Sequence, residues 1–199
     1  MKSILVLGAG RVARPCIQYL LGQGYAVTAA DLSEDNLHHA LGDHPAGTGR
    51  VADAGKEMGP LVAETRPDLM VSLLPPRFMA EALRTCLEAR IPLVHPAYLD
   101  PEQRALGTAC AEAGVVVLPE LGLDPGIDHM SAARTVRRIR ALGGQVRSFR
   151  SLCGALPAAE ANTNPWGYKL SWAPESLIGA SLRSASILEG GRPVHRPDG

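Results

Sequence analysis

The 199-residue chain carries no excess of charge of either sign: 20 Lys and Arg balance 20 Asp and Glu. Without a basic field there is nothing to gather a polyanion, so nucleic acid is not an expected partner. The one basic cluster, Arg134, Arg137, Arg138 and Arg140, reads as a solvated helix face rather than a phosphate patch. Cysteine is scarce. Cys16, Cys86, Cys110 and Cys153 contain no C-x-x-C pair, and no histidine cluster stands beside them at metal-ligand spacing. No metal site is expected, and the cysteines read as reduced thiols of a cytoplasmic protein. Long apolar runs are also missing. The first run, residues 4–7, stops at Gly8 and is followed by Arg11, too short for a signal-peptide core. Nothing reaches the ~18 apolar residues of a membrane span. There is no internal repeat.

What is present is 46% hydrophobic residues, ordinary for a chain with a real core, arranged in alternating patterns. Short apolar runs at residues 4–7, 26–30, 50–52, 69–74, 92–94 and 115–118 read as strands. Between them, residues 12–21, 59–64, 78–89 and 101–113 have helical spacing or helix signals, the last with Pro101 in its first turn and Gly114 at its end. Strands separated by helices pair in parallel through right-handed crossovers. The expected fold class is therefore α/β, with a doubly wound parallel sheet over residues 1–122 and part of a second, α+β domain over 123–199. In that second part, residues 128–142 read as a helix ended by Gly143-Gly144. Residues 145–153 alternate like a half-buried strand, residues 176–189 look helical, and the tail from Gly190 reads as a loop.

The motif Gly8-Ala9-Gly10-Arg11-Val12-Ala13 lies where the first strand must turn into the first helix. Gly8 permits the tight turn, Gly10 lets the backbone approach a pyrophosphate, and Ala13 lets the helix pack closely on the sheet. The amides at the helix start, around Arg11 and Val12, then face the diphosphate. This strand–turn–helix context makes the sheet a Rossmann-type dinucleotide site. Asp31 ends the second strand, 21 residues after Gly10. A carboxylate there accepts hydrogen bonds from ribose hydroxyls and repels a 2′-phosphate, and no Arg follows in the next positions, so NAD is expected over NADP. A helix N-cap is the plainer role in this stretch, and it suits Ser33 better than Asp31. Asp53 follows the third strand and reads equally as an adenine contact or a simple loop residue. Leu74 ends the fourth strand beside the expected crevice.

Three further segments carry a family resemblance. They are the run from Glu120 to Met130 containing Leu121-Gly122-Leu123-Asp124-Pro125-Gly126-Ile127-Asp128-His129, the run Cys153-Gly154-Ala155-Leu156-Pro157, and the run Asn164-Pro165-Trp166-Gly167-Tyr168-Lys169-Leu170-Ser171-Trp172. With Val71-Ser72-Leu73-Leu74-Pro75 and the Tyr98 segment, the chain resembles the glutamate-forming saccharopine dehydrogenases along its whole length. The resemblance implies oxidation of saccharopine, a secondary amine, to an imine that is hydrolysed to L-glutamate and aminoadipate semialdehyde. It is read here with the hydride leaving the glutamate α-carbon. The small-molecule substrate is thus saccharopine or a similar secondary-amine amino acid. Members whose second strand ends in Asp use NAD. The family's active-site positions fall on Tyr98, Asp124 and Cys153, with Ala97 and Lys169 also at the substrate and Gly126 at the cofactor. The plain alternatives are an amphipathic core residue for Tyr98, an N-cap for Asp124 and a buried thiol for Cys153. His129 and His95 read as a helix residue and a strand-end filler.

The chain departs from the family at Pro96-Ala97, where a hydroxyl is usual, and at Met79, Ala155, Ala159 and Trp166. Family members continue for roughly as long again. Residues 123–199 are then a partial substrate or dimerisation domain, and a fragment or a short form relying on a homodimer is expected. The rival functions are a carboxynorspermidine-type dehydrogenase and a non-catalytic NAD(H)-binding module.

Overall fold

A strand buried on both faces needs apolar residues at every position, and β1 (Ser3–Leu7) has them from Ile4 to Leu7. In the computed structural model, which describes residues 1–154, 156–169, 179, 182 and 184–197, β1 lies between β2 (Ala26–Asp31) and β4 (Leu69–Ser72). With β3 (Gly47–Val51), β5 (Leu93–Val94) and β6 (Val117–Leu118), the strand order is β3-β2-β1-β4-β5-β6 and every pairing is parallel. The order reverses at β1, so the connections leaving β1 and β4 diverge and open a crevice at the carboxyl edge.

Alternation along β1 feeds two cores. Ile4 and Val6 pack with Ala13, Ile17 and Leu21 of α1 (Ala13–Gly22) and Leu37 and Leu41 of α2 (Glu34–Leu41). Leu5 and Leu7 pack on the other face with α3 (Met58–Thr65), α4 (Met79–Ala89) and α6 (Gly107–Ala113), through Met58, Leu61, Leu83, Cys86 and Cys110. Each fully buried aliphatic side chain here is worth ~1.5–3 kcal/mol over exposure.

The expected doubly wound sheet is present, with local differences. α2 is an extra helix. Its eight residues hold only Leu37, Ala40 and Leu41 as buried positions, too few to show a period, and Ser33 Oγ caps it by accepting from Asn36 N at 3.2 Å. β3 begins at Gly47, not near residue 50, because pairing with Val27–Ala29 holds Gly47-Thr48-Gly49 extended despite their poor strand propensity. The helix expected over 101–113 is two, α5 (Pro101–Ala105) and α6, which meet at Leu106.

By internal contacts the chain divides into two compact units, Met1–Ser151 and Leu152–Gly199. The first ends with α7 (Ile127–Ala141), which buries no side chain and leaves Arg134, Arg137, Arg138 and Arg140 exposed, a solvated face. The strand expected over 145–153 does not form. Alternation is not enough without a ladder to join, and residues 145–153 are all exposed and pair with no strand among the described residues. In the second unit, β7 (Ala185–Glu189) pairs antiparallel with β8 (Arg192–Arg196). This replaces the helix expected through 189 and the loop expected after it. Gly190 and Gly191, at φ 57° and 79°, supply the left-handed two-residue turn that a tight hairpin needs. The rest of the expected helix, residues 176–178, 180, 181 and 183, lies outside the described residues, as do Ala155 and 170–175. No helix among the described residues is long and apolar enough to cross a membrane.

Candidate functional site

Gly8 leaves β1 at φ +92°, its amide donating to Ala30 O at 2.8 Å. A Cβ on Gly8 would stand 3.3 Å from the Leu73 main chain and 3.5 Å from Leu74 Cδ2. The glycine turn therefore abuts the end of β4 at the switch point, with Leu74 in the wall. Gly10 is exposed, and a Cβ there would meet nothing within 4 Å. Ala13, 1% exposed, seats α1 on the sheet and donates from its amide to Gly10 O at 2.9 Å. No side chain caps the start of α1 at Val12, and its first turn holds no acid. Arg11 and Val12 are exposed. Uncapped amides at the positive end of a helix dipole, beside an open glycine, fit the diphosphate of a dinucleotide.

Asp31 ties this turn to the next loop. Its Oδ2 accepts from Ala9 N at 2.7 Å, and its Oδ1 accepts from Ser33 N at 2.9 Å and Asn36 Nδ2 at 3.1 Å. The α2 cap is Ser33, not Asp31. A carboxylate has about four acceptor sites, so room remains for a hydroxyl. Asp31 faces Val51 across the β2–β3 ladder, and Arg50, one rung back opposite Ala30, has its guanidinium paired with Glu64 at 2.7 Å. Asp53 is occupied as a turn residue. It pairs with Lys56 at 2.9 Å and accepts from Gly55 N at 3.2 Å, and the Lys56 hydrogen bond above all holds its carboxyl below the usual value.

At the same carboxyl edge, the segments after β5 and β6 are laced together. Glu120 N donates to Ala97 O at 3.1 Å, Leu121 N to His95 O at 3.2 Å, and Leu99 N to Glu120 Oε1 at 3.0 Å. This lacing brings Tyr98 and Asp124 into contact, with Tyr98 Oη donating to Asp124 Oδ1 at 2.8 Å. Tyr98 is 46% exposed, so it is not a core residue, and Asp124 spends an oxygen on the phenol. Gly126, at φ +146°, starts α7. A Cβ on it would fall 2.2 Å from Gly122 O, so the turn closing on itself accounts for the glycine.

His129, read from the sequence as a helix residue, lies in α7 as expected, and its bond to a neighbouring acid was not anticipated. The ring of His129 lies with Nδ1 2.7 Å from Asp128 Oδ1 and is exposed. That bond above all raises its proton affinity, against desolvation and with the help of the charges of Asp128, Asp124 and Glu120. The signal for it was the Asp128-His129 pair in the first turn of α7. Cys153 and Lys169 are exposed residues of the second compact unit, and Cys153 does not end a strand. Beside Lys169, Tyr168 O accepts from Asn164 Nδ2 at 2.7 Å. Among the described residues no group of three or more His, Cys, Asp or Glu could hold a metal ion.

Comparison with known proteins gives this geometry a family. Residues 4–118 match the model of the saccharopine dehydrogenase NADP binding domain, and residues 122–199 that of the saccharopine dehydrogenase C-terminal domain. The saccharopine dehydrogenase [NADP(+), L-glutamate-forming] of Pyricularia oryzae is 34% identical over 191 residues, which are 96% of this chain and 42% of the relative. The mitochondrial alpha-aminoadipic semialdehyde synthase of Rattus norvegicus is 34% identical over 98% of this chain and 21% of its own length. The apo saccharopine dehydrogenase (L-Glu forming) of Saccharomyces cerevisiae superposes with a TM-score of 0.79 at 32% identity, covering 99% of this chain and 44% of that one. The chain thus spans less than half the length of these relatives. It carries a nicotinamide dinucleotide-binding domain of their type, and it belongs to the saccharopine dehydrogenase family.

Proposed function

We propose that this chain forms the cofactor site and part of the substrate site of an oxidoreductase that converts saccharopine to L-glutamate and aminoadipate semialdehyde with NAD. The observation that carries the reading is the 2.8 Å bond between Tyr98 and Asp124, on the same sheet edge as the open glycine turn. Residues 1–122 serve as the nucleotide domain and 123–199 as part of a substrate or dimerisation domain.

When bound, the nicotinamide supplies a hydride acceptor. Gly8, Gly10, Arg11, Val12 and Ala13 hold the diphosphate against the start of α1, Leu74 lines the crevice, and Asp53 and Gly126 border it. Asp31 takes the ribose hydroxyls and repels a 2′-phosphate. Arg50, the cation one strand away, is already neutralised by Glu64, which supports NAD, although the fungal relatives are named for NADP(+).

Carbon balance corrects the side on which oxidation occurs. The products are glutamate and an aldehyde, so the carbon that becomes the aldehyde is the lysine-side ε-carbon, and the hydride leaves that carbon rather than the glutamate α-carbon. The secondary ammonium must first lose its proton, and the Tyr98–Asp124 pair is assigned that proton. Water then adds to the imine carbon, nitrogen leaves as the glutamate amine, and one net proton is released. Ala97 and Lys169 are assigned to the substrate and Cys153 to the proton transfers of hydrolysis, through the family positions they occupy. A cytoplasmic, reducing location suits the free thiols Cys16, Cys86 and Cys110. Ile127 and Met130 of α7, 58% and 56% exposed, offer apolar surface that a homodimer would cover.

The test adds saccharopine and NAD to a full-length version of the protein and follows NADH absorbance. Turnover is expected, slowed about 10²-fold by Tyr98→Phe. Turnover of carboxynorspermidine alone would overturn the substrate. NAD binding by calorimetry with no saccharopine binding would overturn the enzyme reading in favour of a sensor module.

A further inference from the structure

Four side-chain polar atoms are buried without a hydrogen-bond partner among the described residues: Ser72 Oγ, His95 Nδ1, His95 Nε2 and Gln103 Oε1. Ser72 and His95 are 0% exposed and Gln103 is 2% exposed. Their placement is not scattered. Parallel register sets Met70 beside Leu93 and Val71 beside Val94, and continuing it by one residue sets Ser72 level with His95 at the carboxyl edge. By alternation they share a face with Met70 and Leu93, the face covered by α4 and α6. Gln103 comes to the same region from α5. Asp100, the N-cap of α5, accepts from Gln103 N at 2.8 Å and from its Nε2 at 3.0 Å, and Nε2 also reaches Tyr98 O at 3.4 Å. The carboxamide is thus oriented from its nitrogen side, with the oxygen left over.

The chemistry of these four atoms is complementary. A neutral imidazole has one donor and one acceptor nitrogen, a serine hydroxyl can donate one proton, and an amide oxygen accepts. Ser72 O–H donating to one ring nitrogen, and the other ring N–H donating to Gln103 Oε1, satisfies all of them. Burial favours the neutral ring by lowering its proton affinity, against smaller opposing effects of the Gln103 side chain, the Ala97 main chain and the charges of Asp100 and Glu120. Ala97 O accepts from Glu120 N at 3.1 Å, whereas Gln103 Oε1 has no donor of its own among the described residues and is the acceptor in need. Native proteins rarely leave such a set unpaired.

We propose that Ser72, His95 and Gln103 form a buried hydrogen-bonded chain, direct or water-bridged, that makes His95 a positioning residue for Tyr98. The chain runs from the end of β4, beside the nucleotide crevice, to the main chain of Tyr98. It couples the cofactor edge to the phenol that faces Asp124. Its catalytic consequence rests on the Tyr98–Asp124 reading above, whereas its existence does not.

The test is 15N-imidazole NMR of the whole protein between pH 5 and 8, with the exposed His38 and His39 as internal references. His95 is expected to stay neutral in a single tautomer, with a ring N–H that exchanges more slowly than those of the references. Ser72→Ala is expected to shift the resonance of the unprotonated ring nitrogen, and Gln103→Ala to abolish the slow exchange. Gln103→Glu, which keeps an acceptor oxygen, is expected to retain the N–H bond and bring the ring into the titrating range. Interconverting tautomers in the wild type would overturn the proposal, and so would a His95 signal indifferent to Ser72→Ala. If a variant fails to fold, the wild-type tautomer and exchange rate alone decide. Failure of saccharopine turnover with an intact His95 signature would count against the enzyme reading and not against this one.

Discussion

Up to Gly126 the chain buries side chains on both faces of a six-stranded sheet, while from Ile127 on none of the described residues is buried. Local rules operate in both regions. α7 forms and ends beside Gly143, and a Gly-Gly turn makes the β7–β8 hairpin. What differs is whether a periodic pattern finds something to pack on. The alternation at Val146 and Phe149 lies 38% and 60% exposed, whereas the apolar run of β1 is closed from both sides. Pattern specifies structure where burial rewards it, and elsewhere it remains only pattern.

The sharpest way to break this comparison is a pair of truncations. Leu5→Ala, at a side chain that is 0% exposed, should cost ~2–5 kcal/mol in urea unfolding. Phe149→Ala should stay within about 0.5 kcal/mol. Equal costs would show that the second region contributes a core of its own.

Two glycines give the next contrast. Gly126→Ala places a methyl 2.2 Å from Gly122 O at φ +146°, and it should destabilise by at least ~1–3 kcal/mol. Gly10→Ala meets no atom within 4 Å, so it should change stability by less than about 1 kcal/mol while weakening dinucleotide binding. Unaltered binding in Gly10→Ala would remove the diphosphate from this turn.

The smallest effect is electrostatic. His129 has a raised proton affinity because it hydrogen-bonds Asp128. The stabilisation this pair gives the start of α7 is therefore full below the ordinary imidazole value and is lost as pH rises through the raised one. Solvent screening keeps it slight at so exposed a site. NMR titration should place His129 above the ordinary imidazole value, and Asp128→Asn should bring it back. An unchanged midpoint in that variant would assign the shift elsewhere.

The geometry of the glycine turn was largely legible in the sequence, because its requirements are backbone requirements. The positive φ at Gly8 and the close packing at Ala13 each demand a residue type, whereas the surroundings of Gly10 would admit a Cβ. The Asp31–Ala9 bond was not legible, since it joins loops brought together only by β1–β2 pairing. The Tyr98–Asp124 contact spans 26 positions in the chain. Family likeness named both residues, but spacing alone could not have joined them, because the contact depends on the lacing of two loops. α2 and the hairpin were missed for opposite reasons: one has too few apolar residues to show a period, and the other rests on a turn whose strands carry mixed patterns.

Titration calorimetry of NAD and NADP against the wild type and Asp31→Asn tests the central claim most directly. Asn keeps an acceptor for Ala9 N while removing the charge that opposes a 2′-phosphate. The wild type should bind NAD more tightly, by about ten-fold or more for charge-assisted bonds to ribose, and the variant should lose most of that margin. Tighter binding of NADP by the wild type, or a preference unmoved by the substitution, would contradict that claim.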